Sequence, residues 1–231
     1  MSISQNVAIV RSKIEEAAKK SGRDPASVTL IGVTKTITTP SIRELISLGV
    51  RDIGENKVQE FLPKYEDLRD NGSSVCNWHF IGNLQRNKVK FITDKVSLIH
   101  SVDNIRLAEE INKRGAGLEK VINVLVEVNI AEETSKHGMA PNQVVCFIDK
   151  LVRMPSIKVL GLMCVAPYVT NPEKNRVFFD RMRNLLVDIN NKSLYYQMVE
   201  LSMGMSLDYM VAIEEGATCV RLGTALFGSR M

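Results

Sequence analysis

The stretch TLIGVTK, residues 29–35, is a short run of apolar and β-branched residues that ends on a lysine. Such a run reads as a buried strand. Seven more follow it: DIG (52–54), NWHFI (77–81), SLIHS (97–101), VINVLVEVN (121–129), VLGLMCVA (159–166), ELSM (200–203) and CVRLG (219–223). Segments of helical periodicity separate them, at 40–48, 57–70, 85–92, 102–114, 141–153, 173–191 and 207–215. Strand and helix in alternation build a parallel sheet, and eight such strands close a barrel in roughly 250 residues. A chain of 231 residues fits that size. The expected fold is a single (β/α)8 TIM barrel, one domain over residues 1–231, with an extra N-terminal helix; a doubly wound open sheet is the alternative.

Local signals agree with these boundaries. Thr39 before Pro40, and Asn171 before Pro172, suit helix starts with an N-cap followed by proline. Gly49 and Gly216 follow apolar-periodic segments where a left-handed C-cap ends a helix. No linker, low-complexity tract or sequence repeat interrupts the alternation.

Composition narrows the function. Thirty basic against 26 acidic residues give a net charge of +4, with both signs spread along the chain. A nucleic-acid binder gathers its Lys and Arg on one face or tail, so no nucleic-acid partner is expected. The runs Lys113-Arg114 and Arg86 to Lys90 read as solvated helix surface. Cys76, Cys146, Cys164 and Cys219 lie far apart without a CxxC, and no Cys or His spacing suits a metal. They read as buried free thiols of a reducing cytosol. The start, MSISQNVAIVRSKIEEAAKK, is an amphipathic helix whose charges exclude a signal peptide or membrane span. The protein is therefore expected in the cytoplasm, without a membrane partner.

In a βα barrel the reactive groups sit where strands give way to loops. Lys35 follows the first strand and shares parity with Ile31 and Val33, so it points into the barrel mouth either as a rim residue or as an amine for Schiff-base chemistry. Loops after the last two strands of such barrels often hold phosphate. Here they carry Ser202, Gly204, Ser206, Gly223 and Thr224, which alternatively serve tight turns with Ser206 as an N-cap. Arg221 has opposite parity to Val220 and Leu222 and points inward, toward Glu127 or Glu200 as an ion pair or toward a ligand acceptor. His79 and His100 fall in strands as packed, hydrogen-bonded imidazoles, and His137 falls in an exposed loop.

A lysine after strand one, a phosphate cradle and an inward arginine suit a phosphorylated aldehyde such as pyridoxal 5′-phosphate (PLP). VTKT (33–36), GENKVQE (54–60), WHFIGNLQRNK (78–88), VNIAEETSKHG (128–138), GLMCVAP (161–167), LSMGMSLDY (201–209) and VRLGTALFG (220–228) together resemble the YggS/PROSC family of PLP homeostasis proteins. Their barrel is similar to the N-terminal domain of alanine racemases. The resemblance implies a Lys35 aldimine, Asn56 facing the cofactor, Ser202, Ser206, Gly223 and Thr224 on the phosphate, and Arg221 at the pyridine nitrogen. Asn83, Arg86 and His137 depart from the residues common in the family.

The resemblance also implies binding without robust turnover. PLP enzymes favour a protonated ring nitrogen, whereas an arginine there disfavours that proton. Alanine racemases add an acid/base residue from a second domain, and this chain ends eight residues after Gly223. The expectation is a monomeric, non-catalytic holder of PLP in vitamin B6 and amino-acid homeostasis, with PLP-dependent apoenzymes as recipients. A single-domain racemase-like enzyme and a cofactor-free Schiff-base aldolase at Lys35 are the alternatives.

Overall fold

A computed structural model describes residues 1–70, 76–192 and 197–228. Eight strands, β1 (Thr29–Val33), β2 (Asp52–Glu55), β3 (Asn77–Phe80), β4 (Leu98–Val102), β5 (Ile122–Glu127), β6 (Ile157–Met163), β7 (Glu200–Met205) and β8 (Cys219–Leu222), form a closed barrel in sequence order. Every pairing is parallel, and β1 meets β8 with Ile31 opposite Arg221, which closes the barrel. The TIM barrel expected from the alternation is the fold, and the open sheet is excluded.

Eight helices surround it among the described residues: α1 (Ile3–Lys20), α2 (Thr39–Ser47), α3 (Val58–Asp70), α4 (Ile105–Gly117), α5 (Val144–Leu151), α6 (Arg176–Lys192), α7 (Tyr209–Glu214) and α8 (Thr224–Phe227). The extra helix α1 starts at a capping box between Ser2 and Gln5 and buries Val7, Val10, Ile14, Ala17 and Ala18 along one stripe. It packs on α2, α7 and α8, with Asn6 donating to the Leu226 carbonyl at 2.9 Å. That contact ties the N-terminus to the last strand–helix unit.

Three local expectations change. The segment 85–92 forms a 3-10 helix, Arg86–Phe91, with three-residue bonds from Lys88 N–H to the Gln85 carbonyl at 2.9 Å and from Ile92 N–H to the Val89 carbonyl at 3.1 Å. The cap of α2 is Thr38, one residue before the expected Thr39, with Pro40 inside the first turn. Of the four cysteines expected to be buried, Cys164 and Cys219 are, Cys76 beside β3 is half-buried, and Cys146 is exposed, because it lies on the outer face of α5 while Val144, Phe147 and Ile148 face inward.

The largest core lies between barrel and helices and takes the outward residues of each strand, such as Ile53, Trp78, Phe80, Val124, Leu201, Val220 and Leu222. Inside the barrel a smaller apolar cluster of Leu98, Leu125 and Met163 fills only part of the space. TIM barrel interiors are usually packed with branched apolar side chains. This one also buries His79, His100, Glu127, Ser202 and Arg221.

Candidate functional site

A cavity of about 460 Å3 opens at the C-terminal ends of the strands. Six of the seven residues singled out from the sequence line it or sit on its loops: Lys35, Asn56, Ser206, Arg221, Gly223 and Thr224. Ser202 does not. It is fully buried within β7, where its hydroxyl accepts from Arg221 Nη1 at 2.6 Å and bonds His100 Nδ1 at 2.9 Å. Strand β7 runs to Met205 past a register shift, so Ser202 stands behind the cavity wall rather than in the loop.

Lys35 is half-buried on a turn closed by Ile37 N–H to the Thr34 carbonyl at 2.9 Å. Both neighbours are fixed. Thr34 donates through its hydroxyl to Glu55 Oε1 at 2.7 Å, and its carbonyl accepts from Lys64 Nζ at 2.6 Å. Lys64 also pairs with the fully buried Glu55 at 2.6 Å. Thr36 has φ +64°, rare for a β-branched residue, and is held there by its N–H to Glu60 Oε2 at 2.7 Å. Residues of β2 and α3 therefore place Lys35, and none of them was singled out from the sequence.

Asn56 directly follows β2, with its side-chain oxygen buried and without a partner. Its backbone touches Gly82 so closely that a Cβ on Gly82 would lie 2.2 Å from the Asn56 carbonyl oxygen. Ser206 accepts from the N–H groups of Gly223 and Ala225 at 3.2 and 3.1 Å, which gathers the loops after β7 and β8. Asp208, and not Ser206, caps α7 by position. Its carboxylate accepts from Met205 N–H and Asn175 Nδ2, each at 2.7 Å, and so braces the loop that carries Ser206. Gly204 needs its glycine, with φ +89° and a Cβ that would lie 2.6 Å from Ala212 Cβ. Gly223 does not, since its φ is −111° and a Cβ would make only ordinary contacts with Val33.

Arg221 is buried and forms no ion pair among the described residues. Glu200, one of the two proposed carboxylates, instead accepts from Thr218 and Cys219. Nη2 donates to the Cys164 carbonyl at 2.7 Å, leaving three of its five N–H groups for other acceptors. Burial pushes Arg221 down from its ordinary value. It also raises Glu127 to about 7, with Asp103 adding and Arg221 opposing.

Sequence reasoning passed over Lys136 and Asn175, both on the cavity wall. A polar run such as 171–175 carries no mark of which side chain turns inward. Two of the departures from the family pattern meet: Asn83 Nδ2 lies 3.3 Å from His137 Nε2 on the exposed rim. Among the described residues no group of His, Cys, Asp or Glu is arranged to hold a metal, and no helix is long and apolar enough to cross a membrane.

The profile of the family described as "Alanine racemase, N-terminal domain" matches residues 6–231. The "Pyridoxal phosphate homeostasis protein" of Aquifex aeolicus is 44% identical over 100% of this chain and 99% of its own. That of Pseudomonas aeruginosa is 41% identical over 99% and 96%. The chain belongs to this family. A solved family member, PipY of Synechococcus elongatus with PLP bound, superposes with a TM-score of 0.86 at 31% identity, over 98% of this chain and all of PipY. The family resemblance read from the seven motifs therefore stands.

Proposed function

We propose that this protein binds PLP in the cavity as a single barrel domain, linked covalently through Lys35, and serves vitamin B6 and amino-acid homeostasis without robust turnover of its own. One observation carries the reading: an amine, Lys35, and a buried arginine without an ion pair, Arg221, stand on the wall of one cavity. The remaining donors and acceptors fit PLP. Asn56 offers a buried oxygen that the fold itself leaves unsatisfied, and Ser206, whose oxygen gathers the Gly223 and Ala225 N–H groups, keeps its hydroxyl proton for a phosphate oxygen, with Thr224 on the same wall. A volume of about 460 Å3 falls within the range of small-molecule sites.

When bound, PLP supplies an aldehyde that bonds amines and a ring that can delocalise a carbanion. Lys35 supplies the amine. Arg221 would hold the ring nitrogen and, being permanently charged, would keep a proton off it, which would weaken the ring as an electron sink. Lys35 is itself only half-buried on the wall of the cavity, so water and incoming amines reach it. An accessible link exchanges its cofactor; a catalytic one is better kept dry. The named relatives and the PLP-bound PipY support the same reading.

Borohydride reduction of the PLP-loaded protein followed by peptide mass spectrometry tests it. A phosphopyridoxyl group on Lys35 is expected, with loss of the coloured band in Lys35→Ala. A colourless protein, or label elsewhere with Lys35→Ala still coloured, overturns it. Transfer of PLP to an apo transaminase, with negligible α-proton exchange of amino acids in deuterated water, is expected of a holder; rapid exchange lost in Lys35→Ala would make it an enzyme.

A further inference from the structure

A file of buried polar side chains crosses the inside of the barrel. Arg221 Nη1 donates to Ser202 Oγ at 2.6 Å, and Ser202 Oγ lies 2.9 Å from His100 Nδ1. His100 Nε2 lies 3.0 Å from His79 Nδ1, and His79 Nε2 lies 3.0 Å from Asp52 Oδ1. One end is on the cavity at the C-terminal mouth. The other, the first residue of β2, borders a second cavity of about 440 Å3 at the opposite mouth.

With both imidazoles neutral, the two ends set the direction of every bond between them. A guanidinium can only donate and a carboxylate can only accept. His79 must then donate from Nε2 to Asp52, which makes Nδ1 of a neutral ring an acceptor. His100 must donate from Nε2 to His79, so its own Nδ1 accepts the Ser202 hydroxyl proton. Ser202 in turn accepts from Arg221. Each link polarises the next in the same sense, and the chain joins a buried positive group without an ion pair to a carboxylate at the far mouth. Burial, with Arg221 adding, holds His100 well below the usual imidazole range, which keeps it the neutral link this order requires. Asn77 donates to the same Asp52 oxygen at 3.1 Å.

We infer that Asp52, His79, His100 and Ser202 are positioning residues that form a one-way hydrogen-bond chain through the barrel, anchoring Arg221 so that its free N–H groups face the cavity. The inference rests on the reading above in that Arg221 then meets the ring nitrogen of PLP. It gives Ser202 a role other than phosphate binding.

The chain holds three histidines with distinct environments, counting the exposed His137 on the rim, so 15N-labelled histidine spectra of the unloaded protein resolve it directly. A neutral Nε2–H ring at His100 is expected at pH 7, with that N–H bonded to His79 Nδ1. An Nδ1–H tautomer or a charged ring at His100 overturns the chain whatever PLP does. Asp52→Ala removes the terminal acceptor and is expected to shift His100 toward Nδ1–H; an unchanged His100 in the folded variant also overturns it. The link to the cofactor is read separately in PLP titrations followed by absorbance. His100→Leu is expected to weaken PLP binding at least threefold and shift the absorption maximum. His100→Gln, which can accept from Ser202 and donate to His79, restores both. A folded His100→Leu that binds PLP with parental affinity and spectrum overturns the positioning role, and wild-type protein that binds no PLP overturns the cofactor reading alone.

Discussion

Glu127 shows how a single side chain inside the barrel sets a pH response. Burial raises its carboxyl to about 7, with Asp103 adding, while Arg221 pulls the other way without forming an ion pair. A carboxyl whose folded value lies above its unfolded one binds its proton more tightly in the folded state. Its favourable contribution is complete below the unfolded value and is lost as pH rises to about 7. With 8% exposure the shift converts to roughly 3 kcal/mol lost at alkaline pH. Glu127→Gln carries no such proton, so it is expected to be more stable than the parent at pH 8.5 by roughly 2–3 kcal/mol, with the difference vanishing near pH 4.5. Urea unfolding at the two pH values measures this, and a variant less stable at pH 8.5 would show that Glu127 is held ionised by Arg221.

At the level of strands and loops, glycine divides the fold from the site. Gly82 lies against the backbone of Asn56, where the turn after β3 crosses the end of β2, and an added methyl has no space there. Gly223 borders the cavity with ordinary contacts only. Gly82→Ala is therefore expected to cost about 1–3 kcal/mol in denaturant unfolding and to displace Asn56. Gly223→Ala is expected to change stability by less than about 1 kcal/mol while weakening PLP binding in a spectroscopic titration. Equal stability losses in the two would place Gly223 in the fold rather than the site. The strands were legible because alternation and β-branched runs directly encode burial, and Lys35 and Arg221 were legible because parity at a strand end gives direction. Ser202 was not, since nothing in LSMGMS announces that its hydroxyl turns to His100 and Arg221 inside the barrel rather than to the cavity. Nor were Lys64, Glu55 and Glu60, whose meeting around Lys35 depends on how α3 lies over β1 and β2.

On the scale of the whole molecule, the site straddles the seam that closes the barrel. Lys35 follows β1, Arg221 and Gly223 belong to β8 and its end, and Ser206 follows β7, while β1 and β8 pair directly across the closure. Helix α1 packs on the helices after both strands and reaches Leu226, so residues from the two ends of the chain share one structural unit. Unfolding of a closed barrel requires this seam to part. A ligand bound at once to β1, β8 and the loop after β7 opposes that parting, and its effect appears as global stability rather than local order. At 100 times its dissociation constant such a ligand adds about 2.7 kcal/mol. For a chain of this length that raises the melting temperature by about 5–10 °C. PLP is expected to give this shift in calorimetry, and pyridoxal at the same concentration much less, because it leaves the Ser206–Gly223–Ala225 junction without its phosphate. Lys35→Ala is expected to keep the melting temperature of the unloaded parent and to lose most of the PLP-dependent rise. Equal shifts with PLP and pyridoxal would move the phosphate away from that junction, and an undiminished rise in Lys35→Ala would show that the seam is held without the covalent link.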